Sequence, residues 1–246
     1  MDVLKINEYA VSEYENIEFE NYQLEVVIER CLPYVVGPSV LSLGYARDKW
    51  PEKLSEKGFQ VHIVEGAEKH FEEGKAKFSE PNIKIFKSMF QDFEPNMLYD
   101  TVVAGSVIEF HDPLEFLSNC KRLLKPKGRL IVTTPNALSI HRRIGAAMGI
   151  EQSPLTVNVA GELSGTKKLF DIHSLRQTLN LGGFVVDLIF GANLKILSAN
   201  QMKQWDKIII DALGVVSQEF PPEFCKELVV ICTAPDLATG IVWDCV

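Results

Sequence analysis

Apolar residues in this chain fall into short runs separated by longer amphipathic stretches. The run Val40 to Leu43 breaks at Gly44, helix-forming residues continue to Gly58, and a second run, Gln60 to Val64, ends at Glu65. This pattern predicts a strand, a glycine turn, a helix closed by glycine and a second strand. Strands joined by one helix pair most simply in parallel, through the right-handed crossover that opens an α/β sheet. The alternation continues with a charged helix over 68–78, a strand over 83–86, an almost wholly apolar strand over 99–104 and a helix over 114–124. Further strands are predicted at 129–133, 184–190 and 228–233, and helices at 137–149, 173–181 and 199–213. Upstream, 24–34 has apolar residues at helical spacing. Residues 1–23 are polar and aromatic and read either as a solvated arm with anchoring rings, Tyr9, Tyr14 and Tyr22 among them, or as a lid.

At 246 residues and 46% hydrophobic, the chain can bury one full α/β core with appendages. The expected division is a helical arm or lid at 1–38, a domain at 39–236 with a lid insertion at about 137–170, and a tail at 237–246. A net charge of −8 repels phosphate backbones and disfavours nucleic-acid partners. The five cysteines, Cys31, Cys120, Cys225, Cys232 and Cys245, form no C-x-x-C pair and read as reduced packing thiols of a cytoplasmic protein. The acidic N-terminus has no apolar h-region and no apolar run is long enough to span a bilayer, so neither an export signal nor a membrane partner is expected.

Gly44 lets the backbone approach a ligand closely, and Glu65, 21 positions later, can accept hydrogen bonds from ribose hydroxyls. A dinucleotide turn needs G-x-G-x-x-G, whereas this one reads Gly44-Tyr45-Ala46-Arg47-Asp48-Lys49; a nucleoside without a pyrophosphate fits better. The run resembles motif I, V-L-D-L-G-x-G-x-G, of class I S-adenosylmethionine-dependent methyltransferases. Ser42, Ala46 and Asp48 depart from that pattern. Ser106 to Pro113 resembles the family's V-L-E-H-V-x-D-P shortened by one residue, and Leu124 to Asn136, LKPKGRLIVTTPN, resembles its L-K-P-G-G-x-L followed by a strand and P-N. The 173–190 block is similar to one in small-molecule, ubiquinone-biosynthesis-like members. The resemblance implies a Rossmann-like three-layer sandwich whose seven-stranded sheet is mostly parallel with an antiparallel last strand. It also implies S-adenosylmethionine as cofactor, with S-adenosylhomocysteine as product, held by Gly44, Tyr45, Ala46, Arg47, Glu65, Gly66, Ser88, Met89, Phe90, Gly105 and Ser106. Met89 and Phe90 read equally well as core residues.

Methyl transfer from a sulfonium needs a base only where the acceptor is protonated. His111, after the fourth strand, is the better base candidate, since an ordinary imidazole titrates near pH 6.5; His141, after the fifth, is the other. His111 reads equally as a cap or packing residue, with Asp112 the better N-cap before Pro113. Arg142 and Arg143 can hold an anionic small-molecule acceptor or form a solvated face. Tyr14 and Tyr22 would line the acceptor site under the lid reading. His62 in its strand and His70 on an exposed helix read as structural, and His173 as a helix cap. No metal is expected, because no His, Cys and carboxylate set has ligand spacing. Transfer to oxygen or nitrogen of a small molecule is the reading; a non-catalytic nucleoside-binding module and a nicotinamide-dependent oxidoreductase are its rivals, and a homodimer remains open.

Overall fold

The computed structural model describes residues 17–45, 49–150, 153–157, 161–162 and 165–236, with side chains from Gln23 onward. The strands are β1 (Ser39–Leu43), β2 (Gln60–Glu65), β3 (Ile83–Lys87), β4 (Tyr99–Gly105), β5 (Leu124–Pro135), β6 (Val185–Ala192) and β7 (Glu227–Thr233). They form one sheet in the order β3-β2-β1-β4-β5-β7-β6. β1 pairs in parallel with β2 and β4, as do β2 with β3 and β4 with β5. β7 lies antiparallel between β5 and β6. Chain order therefore reverses between β1 and β4, which makes their carboxyl ends the topological switch point where open α/β sheets bind ligands.

Helices cover both faces: α1 (Ile17–Cys31), α2 (Trp50–Glu56), α3 (Glu68–Lys77), α4 (Pro113–Leu123), α5 (Ile140–Ala147), α6 (Ile172–Leu181), α7 (Ala199–Met202) and α8 (Lys207–Val216). Strand side chains alternate between two cores. Leu41, Leu43, Val102, Ala104, Leu130 and Val132 pack with Phe116 and Leu117 of α4 and Leu175 and Leu179 of α6. Val40, Val61, Ile63, Val103 and Ile131 pack with Val27 and Ile28 of α1 and Trp50 and Leu54 of α2. Burial on both faces explains the largely apolar runs of β1 and β4, and it gives the expected three-layer sandwich.

Several boundaries differ from the periodic reading. The first described helix spans Ile17–Cys31 rather than 24–34, and it stops just before Pro33. The single helix expected over 199–213 is two: Ser198 and Gln201 form a capping box on α7, and Asp206 accepts from the Ile208 amide to start α8. Trp205, between them, packs on Met202 and Ile210. β5 begins at Leu124, but its pairing jumps from Tyr99↔Leu124 to Thr101↔Arg129, so 125–128 bulges out. Lys127, at φ 60, supplies the left-handed residue of that bulge where the family's pattern has its first glycine. Gly128 serves close approach instead; a Cβ there would lie 2.8 Å from the Lys125 carbonyl. Cys31, Cys120, Cys225 and Cys232 are buried free thiols, as expected of packing residues. No described helix is long and apolar enough to cross a membrane.

Candidate functional site

Because β1 to β5 are parallel, the turns after them meet at one edge of the sheet. Gly44 follows β1 at φ 89, and its amide donates to the Val64 carbonyl at 2.8 Å. A Cβ on Gly44 would meet Phe90 Cζ at 3.8 Å and Val107 Cγ1 at 4.0 Å, both ordinary contacts. The left-handed backbone, more than crowding, therefore calls for glycine. Ser42, buried, donates from Oγ to the Gly44 carbonyl at 3.1 Å, so the residue at the family's acidic position holds the turn from beneath.

Glu65 ends β2 and is 6% exposed. Its Oε2 accepts from the Tyr45 amide at 2.9 Å and its Oε1 from the Ala67 amide at 2.7 Å. The carboxylate is thus clamped by one N–H from the turn after β1 and one from the turn after β2, and each oxygen keeps a further lone pair. Tyr45 turns its ring away into the core, edge-on to Phe78, so only its backbone faces Glu65. His70 is not exposed as its helix suggested: it lies on the sheet-facing side of α3, 9% exposed, with Nδ1 4.0 Å from Glu65 Oε2. Ser88 donates its amide to the Glu65 carbonyl at 3.1 Å and its hydroxyl to the Met89 carbonyl at 3.0 Å. Gly66, Ser88, Met89 and Phe90 are all half-buried.

After β4, Ser106 stands at φ 51 and gives its amide to Thr133, to the carbonyl at 3.0 Å and to Oγ1 at 3.2 Å. A non-glycine residue held in the left-handed region at a sheet's carboxyl edge points to a functional turn. His111 stacks on Phe116 at 5.3 Å and tilts against Phe90 at 5.7 Å. Burial, with the positive charge of Lys167 adding to it, pulls its imidazole down to about 4, so the ring is neutral at pH 7. The cap on α4 belongs to Asp112, whose Oδ1 accepts from the Leu114 and Glu115 amides. His111 also lines a polar cleft with Gln91, Asp112, Glu115 and Lys167.

Beyond β5, Asn136 fixes the path of the chain. Its Nδ2 donates to the Glu223 and Cys225 carbonyls at 3.0 and 2.9 Å, and its Oδ1 accepts from the Leu138 amide. His141, at the start of α5, has Nδ1 3.1 Å from Ser139 Oγ. Arg142 donates to the Pro154 and Thr156 carbonyls at 2.8 and 2.7 Å, tying the loop to α5. Arg143 donates to the Leu138 carbonyl and lies 5.4 Å over Phe224. Both arginines are therefore engaged by backbone rather than simply solvated. His62 is structural, 2.7 Å from the Tyr99 hydroxyl. His173 does not cap its helix; Asp171 does, in a capping box with Ser174. Tyr14, Ala46, Arg47 and the side chain of Tyr22 lie outside the described residues.

Two residues of this edge escaped the sequence reading. Glu109, 4% exposed, accepts from Thr134 Oγ1 at 3.1 Å, and its carbonyl takes the Lys167 and Lys168 amides at 2.8 and 3.2 Å. Burial, reinforced by the charge of Glu227, pushes its carboxyl up to about 8, so it is largely protonated at pH 7. It stands inside a quoted motif, yet only burial distinguishes it. Arg122, near the end of α4, reaches back to the turn after β3; a basic residue in a last helical turn reads as solvated.

Comparison with known proteins places these features in context. A family model described as a methyltransferase domain matches residues 17–189. A ubiquinone biosynthesis O-methyltransferase of Rickettsia bellii (strain OSU 85-389) is 30% identical over 100 residues, 39% of this chain and 42% of that protein. The matched stretch thus spans less than half of that relative's length. A protein of Mycobacterium tuberculosis (strain ATCC 25618 / H37Rv), named a probable S-adenosylmethionine-dependent methyltransferase, is 25% identical over 231 residues, 89% of this chain and 77% of its own. The crystal structure of a SAM-dependent methyltransferase from Archaeoglobus fulgidus superposes with a TM-score of 0.58 at 20% identity, covering 89% of this chain and all (100%) of that one, a likeness of fold.

Proposed function

Because the chain belongs to the methyltransferase-domain family, we propose that it transfers a methyl group from S-adenosylmethionine to oxygen or nitrogen of a small-molecule acceptor. The observation that carries this reading is the clamped carboxylate of Glu65 facing the left-handed turn at Gly44, across the switch point of the sheet. Two fixed acceptor oxygens suit the vicinal hydroxyls of a ribose, and an open-faced glycine turn suits a ligand without a pyrophosphate. The residues present therefore fit the cofactor. Glu65 and Gly66 would hold its ribose, the Gly44–Tyr45 backbone its amino-acid part, and Ser88, Met89 and Phe90 with Gly105 and Ser106 its base. When bound, the cofactor supplies an already activated methyl group, so the protein's share is positioning and water exclusion.

The acceptor side is formed by the end of β5, α5 and the loop that Arg142 ties down. Where the accepting atom carries a proton, His141 removes it: Ser139 Oγ steadies its Nδ1. His111, neutral and packed between aromatic rings, keeps the Phe90 side in place. A small acceptor agrees with the net charge of −8, and the name of the Rickettsia relative supports transfer to oxygen. The test is incubation with methyl-labelled S-adenosylmethionine and a panel of phenols, carboxylates and amines. Label enters one class, and His141→Ala lowers kcat about 100-fold or more with the cofactor KM unchanged. Full turnover in His141→Ala would remove the base; cofactor binding with no transfer to any acceptor would favour a non-catalytic module.

A further inference from the structure

The turn after β3, from Ser88 to Phe93, has no regular secondary structure and one short-range backbone hydrogen bond of its own, Asp92 amide to Met89 carbonyl. Its order comes from elsewhere. Arg122 donates from Nη1 to the Phe93 carbonyl at 2.7 Å and from Nη2 to the Phe90 and Gln91 carbonyls at 3.2 and 2.9 Å. Its Nε donates to Asn119 Oδ1 at 3.1 Å, one turn earlier on α4, which orients the guanidinium. A planar fork can satisfy this set of carbonyls in one plane; a lysine ammonium presents one point charge on a flexible stem. At the far end of the turn, Phe93 is buried and packs 5.4 Å from Phe86. At the near end, Phe90 projects back towards Gly44 and His111. Between those anchors, Arg122 holds the backbone of Phe90, while His111 packs against its ring.

We infer that Arg122 is a positioning residue for cofactor binding: from α4 it holds the carbonyls of Phe90, Gln91 and Phe93 so that Ser88, Met89 and Phe90 present a preformed wall to the cofactor. The inference rests on the proposed cofactor reading of that turn. A structural alternative is that Arg122 only complements the negative end of α4, where any cation would serve.

The test compares wild type, Arg122→Met, Arg122→Lys and Phe90→Ala, reading S-adenosylhomocysteine affinity by calorimetry, kcat and KM for both substrates, and thermal unfolding. Arg122→Met should weaken cofactor binding about tenfold and raise the cofactor KM in step, leaving the acceptor KM unchanged. Arg122→Lys should recover only part of that loss. Normal affinity in folded Arg122→Met, or full recovery in Arg122→Lys, overturns the inference while leaving the cofactor reading intact. A wild type that binds no S-adenosylhomocysteine overturns both. Wild-type binding with Phe90→Ala unaffected overturns the inference together with the assignment of this turn to the cofactor's base, and leaves the Glu65 reading intact.

Discussion

Glu65→Ala abolishes measurable binding of S-adenosylmethionine and S-adenosylhomocysteine, and Glu65→Gln weakens it about 100-fold or more. The carboxylate is acceptor-only, and both oxygens already take backbone N–H groups, from Tyr45 at 2.9 Å and Ala67 at 2.7 Å. An alanine leaves those amides without partners in a site where the native side chain is 6% exposed. A glutamine must set its NH2 against one of them, donor against donor, and it offers the ribose hydroxyls a weaker, uncharged acceptor. Each charge-assisted hydrogen bond is worth about 1.5–3 kcal/mol, and two such bonds to a ribose account for the expected loss. Calorimetric titration of each variant checks this, with thermal unfolding alongside to show that the protein is folded. Wild-type affinity in folded Glu65→Ala would leave the carboxylate a purely structural clamp.

Glu109→Gln makes the protein more stable, and increasingly so as pH rises. The Glu109 carboxyl is pushed from its ordinary 4.5 up to about 8 by burial, against smaller opposing pulls from a backbone hydrogen bond and from Thr134, with the charge of Glu227 adding least. Below pH 4.5 the group is protonated in both folded and unfolded chains and contributes no difference. Between about 4.5 and 8 the unfolded chain loses the proton while the folded one keeps it, so each pH unit favours unfolding. The penalty is on the order of 3 kcal/mol at pH 7 and levels off above the folded value. Glutamine keeps the shape and an acceptor for Thr134 Oγ1 and removes the titration. Melting curves of the two proteins should coincide near pH 4.5 and separate by several degrees at pH 7 to 8, the variant higher. Parallel curves across that range would mean that Glu109 ionises freely in the folded protein.

Local pattern carried much of this fold. The strand–glycine–helix–strand unit from Val40 to Glu65 was legible because two buried strands and a glycine stop leave little else for the chain to form. The LKPKGRLIVTTPN stretch gave β5 away in the same manner, although not that Lys127 takes the left-handed position. What stayed hidden depends on contacts distant in sequence. His70 looks exposed on a charged helix, yet the i, i+4 face it shares with Gly74 turns to the sheet. The split between α7 and α8 rests on side-chain caps at Ser198 and Asp206 that compete with a plausible continuous helix. Glu109 and Arg122 are ordinary charged residues by spacing. Their roles come from a partner on β5 and from carbonyls some 30 positions upstream, which no periodicity records.

The edge built from Gly44 and Glu65 is proposed to bind a sulfur-containing nucleoside. Calorimetric titration of ligand-free, folded protein with S-adenosylmethionine, S-adenosylhomocysteine and NAD in separate runs tests this. Micromolar binding of the first two with no heat from NAD is the predicted result. Silence from both sulfur nucleosides, or a preference for NAD, would contradict it.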